Sequence, residues 1–175
     1  MEDLKFPIGR FQFKADYTPA EQAEIFQTIE TAPRLYAELT ENLDADQLQK
    51  TYREGGWNIQ QLVHHVADMH MLHVVRMKKA LTESDYKEAT MVNMDGWAAT
   101  ADATSAPIAD SLDILRGVHP RYAALGRSMT DQQKQIAYYH PIRKISYNLM
   151  TAFALTAWHS EHHLAHIKIA LGLSL

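Results

Sequence analysis

The sequence predicts an all-α fold, a four-helix bundle, and three observations carry that expectation. Apolar residues recur at alternating steps of three and four along four long segments. Capping-box tetrads at Thr18-Pro19-Ala20-Glu21, Asn58-Ile59-Gln60-Gln61 and Thr130-Asp131-Gln132-Gln133 mark helix starts. Between these signals lie one long connection and no convincing central strand. The 175 residues amount to one domain, 1–175, with no repeat, low-complexity tract or domain-sized linker.

Residues 1–17, with Pro7, Gly9 and the aromatics Phe6, Phe11, Phe13 and Tyr17, read as an extended surface arm. Thr18 caps the first helix, Pro19 suits its first position, and Ile25, Ile29, Ala32, Tyr36, Leu39 and Leu43 form its buried stripe. Pro33 is expected to bend that helix or restart it after Thr31, because proline lacks the interior N–H. Asp44 to Gln47 is a turn with room for one helical turn, and Gly55-Gly56-Trp57 breaks the chain again. A second helix follows over 58–81, with Leu62, His65, Met69, Leu72 and Arg76 facing inward. Residues 83–105 form the long connection between helices two and three, with a short helix near Trp97. The third helix starts at Ser105-Ala106-Pro107, carries Ile108, Leu112, Leu115, Tyr122, Leu125 and Met129 inward, and should kink at Pro120. Residues 136–145 alternate weakly, as a small hairpin would. The fourth helix runs from near Ser146 to Gly172, a good C-terminal stop.

Composition narrows the function. The chain has no cysteine, which removes disulfides, zinc–thiolate sites and thiol nucleophiles. Seventeen basic against 21 acidic residues give a net charge of −4, which argues against nucleic acid or an anionic membrane as partner. The charged start Met1-Glu2-Asp3-Leu4-Lys5 lacks a signal-peptide core, and no stretch approaches the roughly 20 apolar residues of a membrane span. A cytoplasmic protein is expected.

Ten histidines stand out, and they cluster. His64, His65, His70 and His73 form one group; His159, His162, His163 and His166 form another. On a helix, residues four apart share a face, so His159 with His163 and His162 with His166 are both candidate ligand pairs. Apolar neighbours Leu149, Ala152, Phe153, Ile167 and Ala170 continue that arc, which turns these histidines inward. Buried imidazoles need partners, and one divalent metal serves several at once. Two nitrogens under-coordinate a metal, and His65 lies on the inward stripe of a facing helix. Three neutral nitrogens with open positions form the layout of a catalytic site. A lone histidine on an apolar face is usually only a satisfied core residue; two dense clusters in one chain are harder to read that way. His70 and His73 are expected at the surface or behind the ligands, and His119 and His140 have no partner at ligand spacing. Ser160 stands where a zincin has glutamate, and Glu161 is about 200° round the helix from its own histidine face. Ferritin-like Glu-x-x-His pairs are missing too, so the site reads as mononuclear and carboxylate-poor.

Tyr52-Arg53-Glu54-Gly55-Gly56-Trp57, Val63-His64-His65-Val66-Ala67-Asp68 and Trp158-His159-Ser160-Glu161-His162-His163-Leu164-Ala165-His166-Ile167 together resemble the YfiT-like branch of the DinB superfamily. The likeness spans most of the chain, including Phe6-Pro7-Ile8-Gly9, Arg76 and Tyr139-His140-Pro141. It implies a four-helix bundle with a mononuclear nickel or zinc site, often in a homodimer. Matched residue by residue, it implies His65, His159 and His163 as ligands in place of the other pair. Some relatives have another histidine where this chain has Glu161, a side chain expected to face away from the metal. Members carry the label metal-dependent hydrolase, and some relatives are S-transferases that join a thiol such as bacillithiol to an electrophile.

Two chemistries therefore suit the same ligands. A coordinated thiol would be held as its thiolate, or a coordinated water would be brought near neutral pKa. The inward faces offer no carboxylate to help hydrolysis, which favours thiol transfer. A non-catalytic, metal-stabilised dimeric bundle is the remaining alternative. Arg76, about three turns beyond His65, either recognises an anionic substrate or, the commoner fate, forms a buried salt bridge to a bundle acid. Tyr139 and His140 are candidate substrate contacts at the mouth, and Trp57 and Trp158 are expected to border the pocket by packing.

Overall fold

Side-chain oxygens set where three of the four long helices begin. The computed structural model describes residues 2–175, so Met1 of the expected arm lies outside the described residues. After one helical turn, α1 (Glu2–Lys5), the arm is extended to Thr18. There the Thr18 hydroxyl accepts the Glu21 N–H and the Glu21 carboxylate accepts the Thr18 N–H, opening α2 (Pro19–Thr40). Asp44 opens the single turn α3 (Ala45–Leu48), and Asn58 with Gln61 opens α4 (Ile59–Thr82) in the same reciprocal way. The connection that follows holds two short helices, α5 (Met94–Ala98) and α6 (Ala101–Ser105), before α7 (Ile108–Ser128). The turn α8 (Asp131–Lys134) leads into an antiparallel hairpin, β1 (Ala137–His140) with β2 (Ile145–Asn148), and then α9 (Leu149–Ala170). Gly172, in the left-handed region at φ 72°, closes α9: its N–H reaches the Ile169 carbonyl and that of Leu173 the Lys168 carbonyl.

The four long helices form the expected bundle. α2 packs on α7 and α9, and α4 packs on the same two, so α2 and α4 stand on opposite corners. No helix among the described residues is long and apolar enough to cross a membrane.

Several boundaries differ from the sequence expectation. The arm begins with a helical turn. Pro33 neither ends nor restarts α2, which runs unbroken through it. Proline removes only its own N–H, so the cost falls on one carbonyl, that of Ile29, four residues earlier. α7 likewise runs through Pro120, and its first turn starts one residue after Pro107 because α6 claims Ser105. α9 starts at Leu149, since Ser146 is held in β2 opposite Tyr139 and Asn148 supplies the cap, accepting the Thr151 N–H.

Two apolar clusters fill the bundle. One gathers Phe26 and Ile29 of α2, Met77 of α4, Tyr122 and Ala123 of α7 and Leu149 to Ala157 of α9. The other gathers Ala32 and Tyr36, Ile59 to Ala67, Ile108 to Leu115 and Leu164 with Ile167. Between them, in every long helix but α2, falls a belt of buried histidine. Within the first cluster Gly126 lets α7 come close: a Cβ there would lie 2.4 Å from the Phe26 ring and 2.8 Å from that of Phe153. Those rings are locked edge-on, 5.3 Å between centroids, and cannot swing aside. Gly126→Ala is therefore expected to destabilise the fold by about 1–3 kcal/mol, despite alanine's better helix propensity, as read from its urea unfolding midpoint.

Candidate metal centre

Three helices build the histidine belt. α4 contributes His65, His70 and His73, α7 contributes His119, and α9 contributes His159, His163 and His166. His159 and His163 are one turn apart on α9 and face His65 across the bundle. His159 Nε2 lies 3.3 Å from His65 Nε2 and 3.2 Å from His163 Nε2. Burial pulls all three imidazoles below the ordinary histidine range, His65 to about 4, with the neighbouring histidines adding to the effect at His159 and His163. They are neutral at pH 7, each with one N–H and one bare lone pair.

Two backbone carbonyls decide which nitrogen is bare. The Ile29 carbonyl that Pro33 leaves without a helix donor lies 2.6 Å from His119 Nδ1. A carbonyl only accepts, so His119 Nδ1 carries the proton and His119 Nε2 accepts. That nitrogen is 2.7 Å from His70 Nδ1, which must donate. His70 Nε2 then accepts from His159 Nδ1 at 3.0 Å, leaving His159 Nε2 bare. A second relay starts at the Leu4 carbonyl, 3.1 Å from His166 Nε2, which donates. His166 Nδ1 accepts from His163 Nδ1 at 3.3 Å, leaving His163 Nε2 bare. Two lone pairs thus point at each other with no proton between them, an arrangement that a cation relieves.

The donor set fits a metal. Ligand nitrogens of the triad lie within 4.8 Å of one another. Nitrogens about 2.0–2.1 Å from a tetrahedral zinc are separated by roughly 3.3–3.4 Å, close to the spacings found. His162, His163 and His166 form a second group within the same limit, but the His166 Nδ1 lone pair already serves His163. His162 instead stacks on Trp158 at 4.4 Å, and its Nδ1 is buried with no hydrogen-bond partner.

His159 also lines a cavity of about 520 Å³, together with His73, Arg76, His140, Arg143 and Trp158. Phe6 and Phe11 of the N-terminal arm complete the wall. The arm is tied down where the Thr151 hydroxyl and the Asn148 amide donate to the Lys14 and Ala15 carbonyls. His73 Nδ1 donates to the Thr156 hydroxyl, which itself donates to the Ala152 carbonyl.

The sequence-predicted residues divide accordingly. His65, His159 and His163 come together, Arg76 and His140 reach the cavity, and Trp57 packs on His65 with centroids 4.5 Å apart. Tyr139 is outside the cavity lining. Strand alternation turns Tyr138 and His140 inward and leaves Tyr139 exposed, while its backbone pairs with Lys87 and Ala89. Glu161 is exposed, on the far side from the triad, as expected. Of the two places expected for His70, the structure shows the one behind the triad: it is 1% exposed and bonded to His159. Arg76 has no carboxylate partner among the described residues, so the expected buried salt bridge is absent; its Nε and Nη2 donate to the Thr90 carbonyl. Sequence spacing missed the part played by His119, whose partners lie on other helices. The one available signal was Pro33, four residues beyond a carbonyl that needed a donor.

Comparison with known proteins places this geometry in context. A model described as the DinB superfamily matches residues 28–167. The chain is 38% identical to a provisionally named metal-dependent hydrolase of Oceanobacillus iheyensis, covering 97% of this chain and 96% of that protein. It is 35% identical to the similarly named YfiT of Bacillus subtilis, covering 94% and 92%. The solved structure of YfiT from Bacillus subtilis, described as having an unusual four-helix bundle topology, superposes with a TM-score of 0.91 at 34% identity over 98% of this chain and 99% of that one.

The relay makes two measurable demands. His119→Leu leaves the His70 Nδ1–H without an acceptor and should weaken zinc binding about tenfold or more in a chelator competition. His64→Leu, which breaks bonds to Ser111 and the Ala106 carbonyl but touches neither relay, should leave it unchanged. The second demand concerns acid. Burial holds His119 and His65 at about 4 when folded, below the ordinary 6.5. The unfolded chain therefore binds more protons below pH 6.5. The stability these groups contribute is complete above that pH and is lost as pH falls toward 4. Urea midpoints of chelator-treated protein should be flat above pH 7 and drop steadily from 6.5 to 4.

Proposed function

The chain belongs to the DinB superfamily, in its YfiT-like branch, and on that premise we propose that it is a metal-dependent enzyme that transfers a low-molecular-weight thiol to an electrophile. In this reading His65, His159 and His163 hold one divalent metal, nickel or zinc, and a bacillithiol-like thiol shares the cavity with the electrophile. The observation that carries it is the pair of relays, which commit the lone pairs of His159 and His163 to one point beside a cavity. When bound, the metal supplies Lewis acidity that favours the deprotonated form of a thiol or water at its open position.

The three imidazoles are neutral, so they leave the charge of a divalent ion undiminished, which favours an anionic sulfur beside it. The arm residues Phe6 and Phe11, with Trp158, shield the reacting atoms from water. In the transfer, sulfur bonds to the electrophilic carbon, the leaving group departs with the bonding pair, and the thiol proton passes to solvent. No Asp or Glu is among the described residues lining the cavity, which supports a reaction that needs neither a carboxylate base nor a carboxylic acid.

Hydrolysis is the second reading, favoured by the names of the relatives. One experiment separates the two. Zinc- or nickel-loaded protein is given monochlorobimane with bacillithiol, glutathione or no thiol, and in parallel a set of esters and amides. The transfer reading expects conjugate only when thiol and metal are both present, and none from His65→Ala. Multiple-turnover cleavage of an ester or amide, with no conjugation by any thiol, replaces transfer with hydrolysis.

A further inference from the structure

Arg76 is 4% exposed, and a guanidinium cannot shed its charge when buried. Burying one without a counter-ion is costly, and structures nearly always supply one. Here none is supplied among the described residues. The Nε and Nη2 groups donate to a neutral carbonyl, that of Thr90, at 2.9 and 2.6 Å, and Nη2 also approaches the Met91 sulfur at 3.9 Å. Nη1 makes no hydrogen bond within the described residues. The titratable groups that feel Arg76 are His73, His140, Tyr122, Tyr138 and Tyr147, each held neutral by burial.

This charge borders the cavity beside His159. Arg143, on the turn of the hairpin, lines the same cavity from its exposed rim, and its charge reaches His73, His140 and His159. Arg10 of the arm and the imidazoles of His73, His140 and His159 also line it, and the rest of the described wall is apolar, including Phe11, Met69, Met91, Leu155 and Trp158. A site with a fixed buried cation, further cations toward its mouth, a largely apolar wall and no acidic side chain among its described lining residues is built for a ligand with one anionic end and an apolar body.

We propose that Arg76, assisted by Arg143, binds the carboxylate of an amphipathic organic acid in this cavity, so that the substrate is anionic and its carboxylate completes the charge balance that the fold leaves open. This deepens the reading above, since the acid would lie with its reacting atom toward the histidine triad. Arg76 is held to one orientation by the Thr90 carbonyl, which leaves Nη1 for the carboxylate.

The test is binding, so it stands apart from turnover. Phenylacetate and its uncharged analogue phenylacetamide are titrated into metal-loaded and chelator-treated protein, followed by calorimetry and by tryptophan fluorescence, because Trp158 lines the cavity. Wild type should bind phenylacetate about tenfold or more tightly than the amide. Arg76→Met should abolish that preference, Arg76→Lys should keep part of it, and Arg143→Met should reduce it by a few-fold and lower its salt sensitivity. The preference must persist after chelation. If it vanishes with the metal, the carboxylate was binding the ion and the proposal fails. Equal binding of acid and amide, or an unaltered preference in Arg76→Met, also overturns it. Should Arg76→Met fail to fold, an unchanged preference and salt dependence in Arg143→Met, whose side chain is exposed, overturns it alone. Protein that prefers the acid through Arg76 yet conjugates no thiol would end the transfer reading and leave this one standing.

Discussion

Two backbone carbonyls with nowhere else to turn govern the polar interior of this protein. The Ile29 carbonyl is stranded by Pro33 and the Leu4 carbonyl by the end of α1, and each forces the proton arrangement of the histidines that reach it. Neutral imidazole has one donor and one acceptor, so a decision at one end of such a chain propagates without loss to the other. The bare nitrogens at the triad are the far ends of these decisions. A helix-interior proline is ordinarily a local defect. Here it sets one terminus of a four-group circuit that crosses from α2 through α7 and α4 to α9.

The belt also organises the packing. Apolar cores exclude buried polar groups unless every one is satisfied, and the two clusters on either side of the belt are apolar throughout their helical stripes. α9 shows the compromise most clearly, being buried on nearly all sides, mostly apolar up to Ala157 and carrying its four histidines from His159 onward. Its neighbours therefore supply both the hydrophobic seats and the hydrogen-bond partners. Tyr36 does both, filling the second cluster while its hydroxyl donates to the Ser160 carbonyl at 2.9 Å. Division of labour follows: stability rests on the two clusters, and the belt is free to carry chemistry.

Much of this was legible in the residues alone, for local reasons. Helix starts were readable because Thr18, Asn58 and Thr130 cap through side chains only three residues away. The facing of His159 and His163 was readable because it depends only on helical spacing. What escaped shares a different property. The continuity of α2 through Pro33 depends on a donor 90 residues away, the start of α9 on a strand partner, and the lack of a carboxylate partner for Arg76 among the described residues on which acids reach it. Periodicity fixes which face a residue occupies and is silent on who stands opposite, so the choice between a salt bridge and a lone cation at Arg76 was beyond it. Tyr139 shows the same limit in two dimensions, since one residue of strand register decides whether it meets the cavity or solvent.

The bond between His166 and the Leu4 carbonyl joins residues 162 positions apart. Closing a contact over such a span costs more chain entropy than closing the turns of a helix. Until it closes, His163 is at liberty to carry its proton on either nitrogen, and its helix has only half of its final electrostatic instructions. The arm's small hydrogen bond is therefore a long-range constraint, by which the first turn of the chain decides which nitrogen its last helix turns toward the triad.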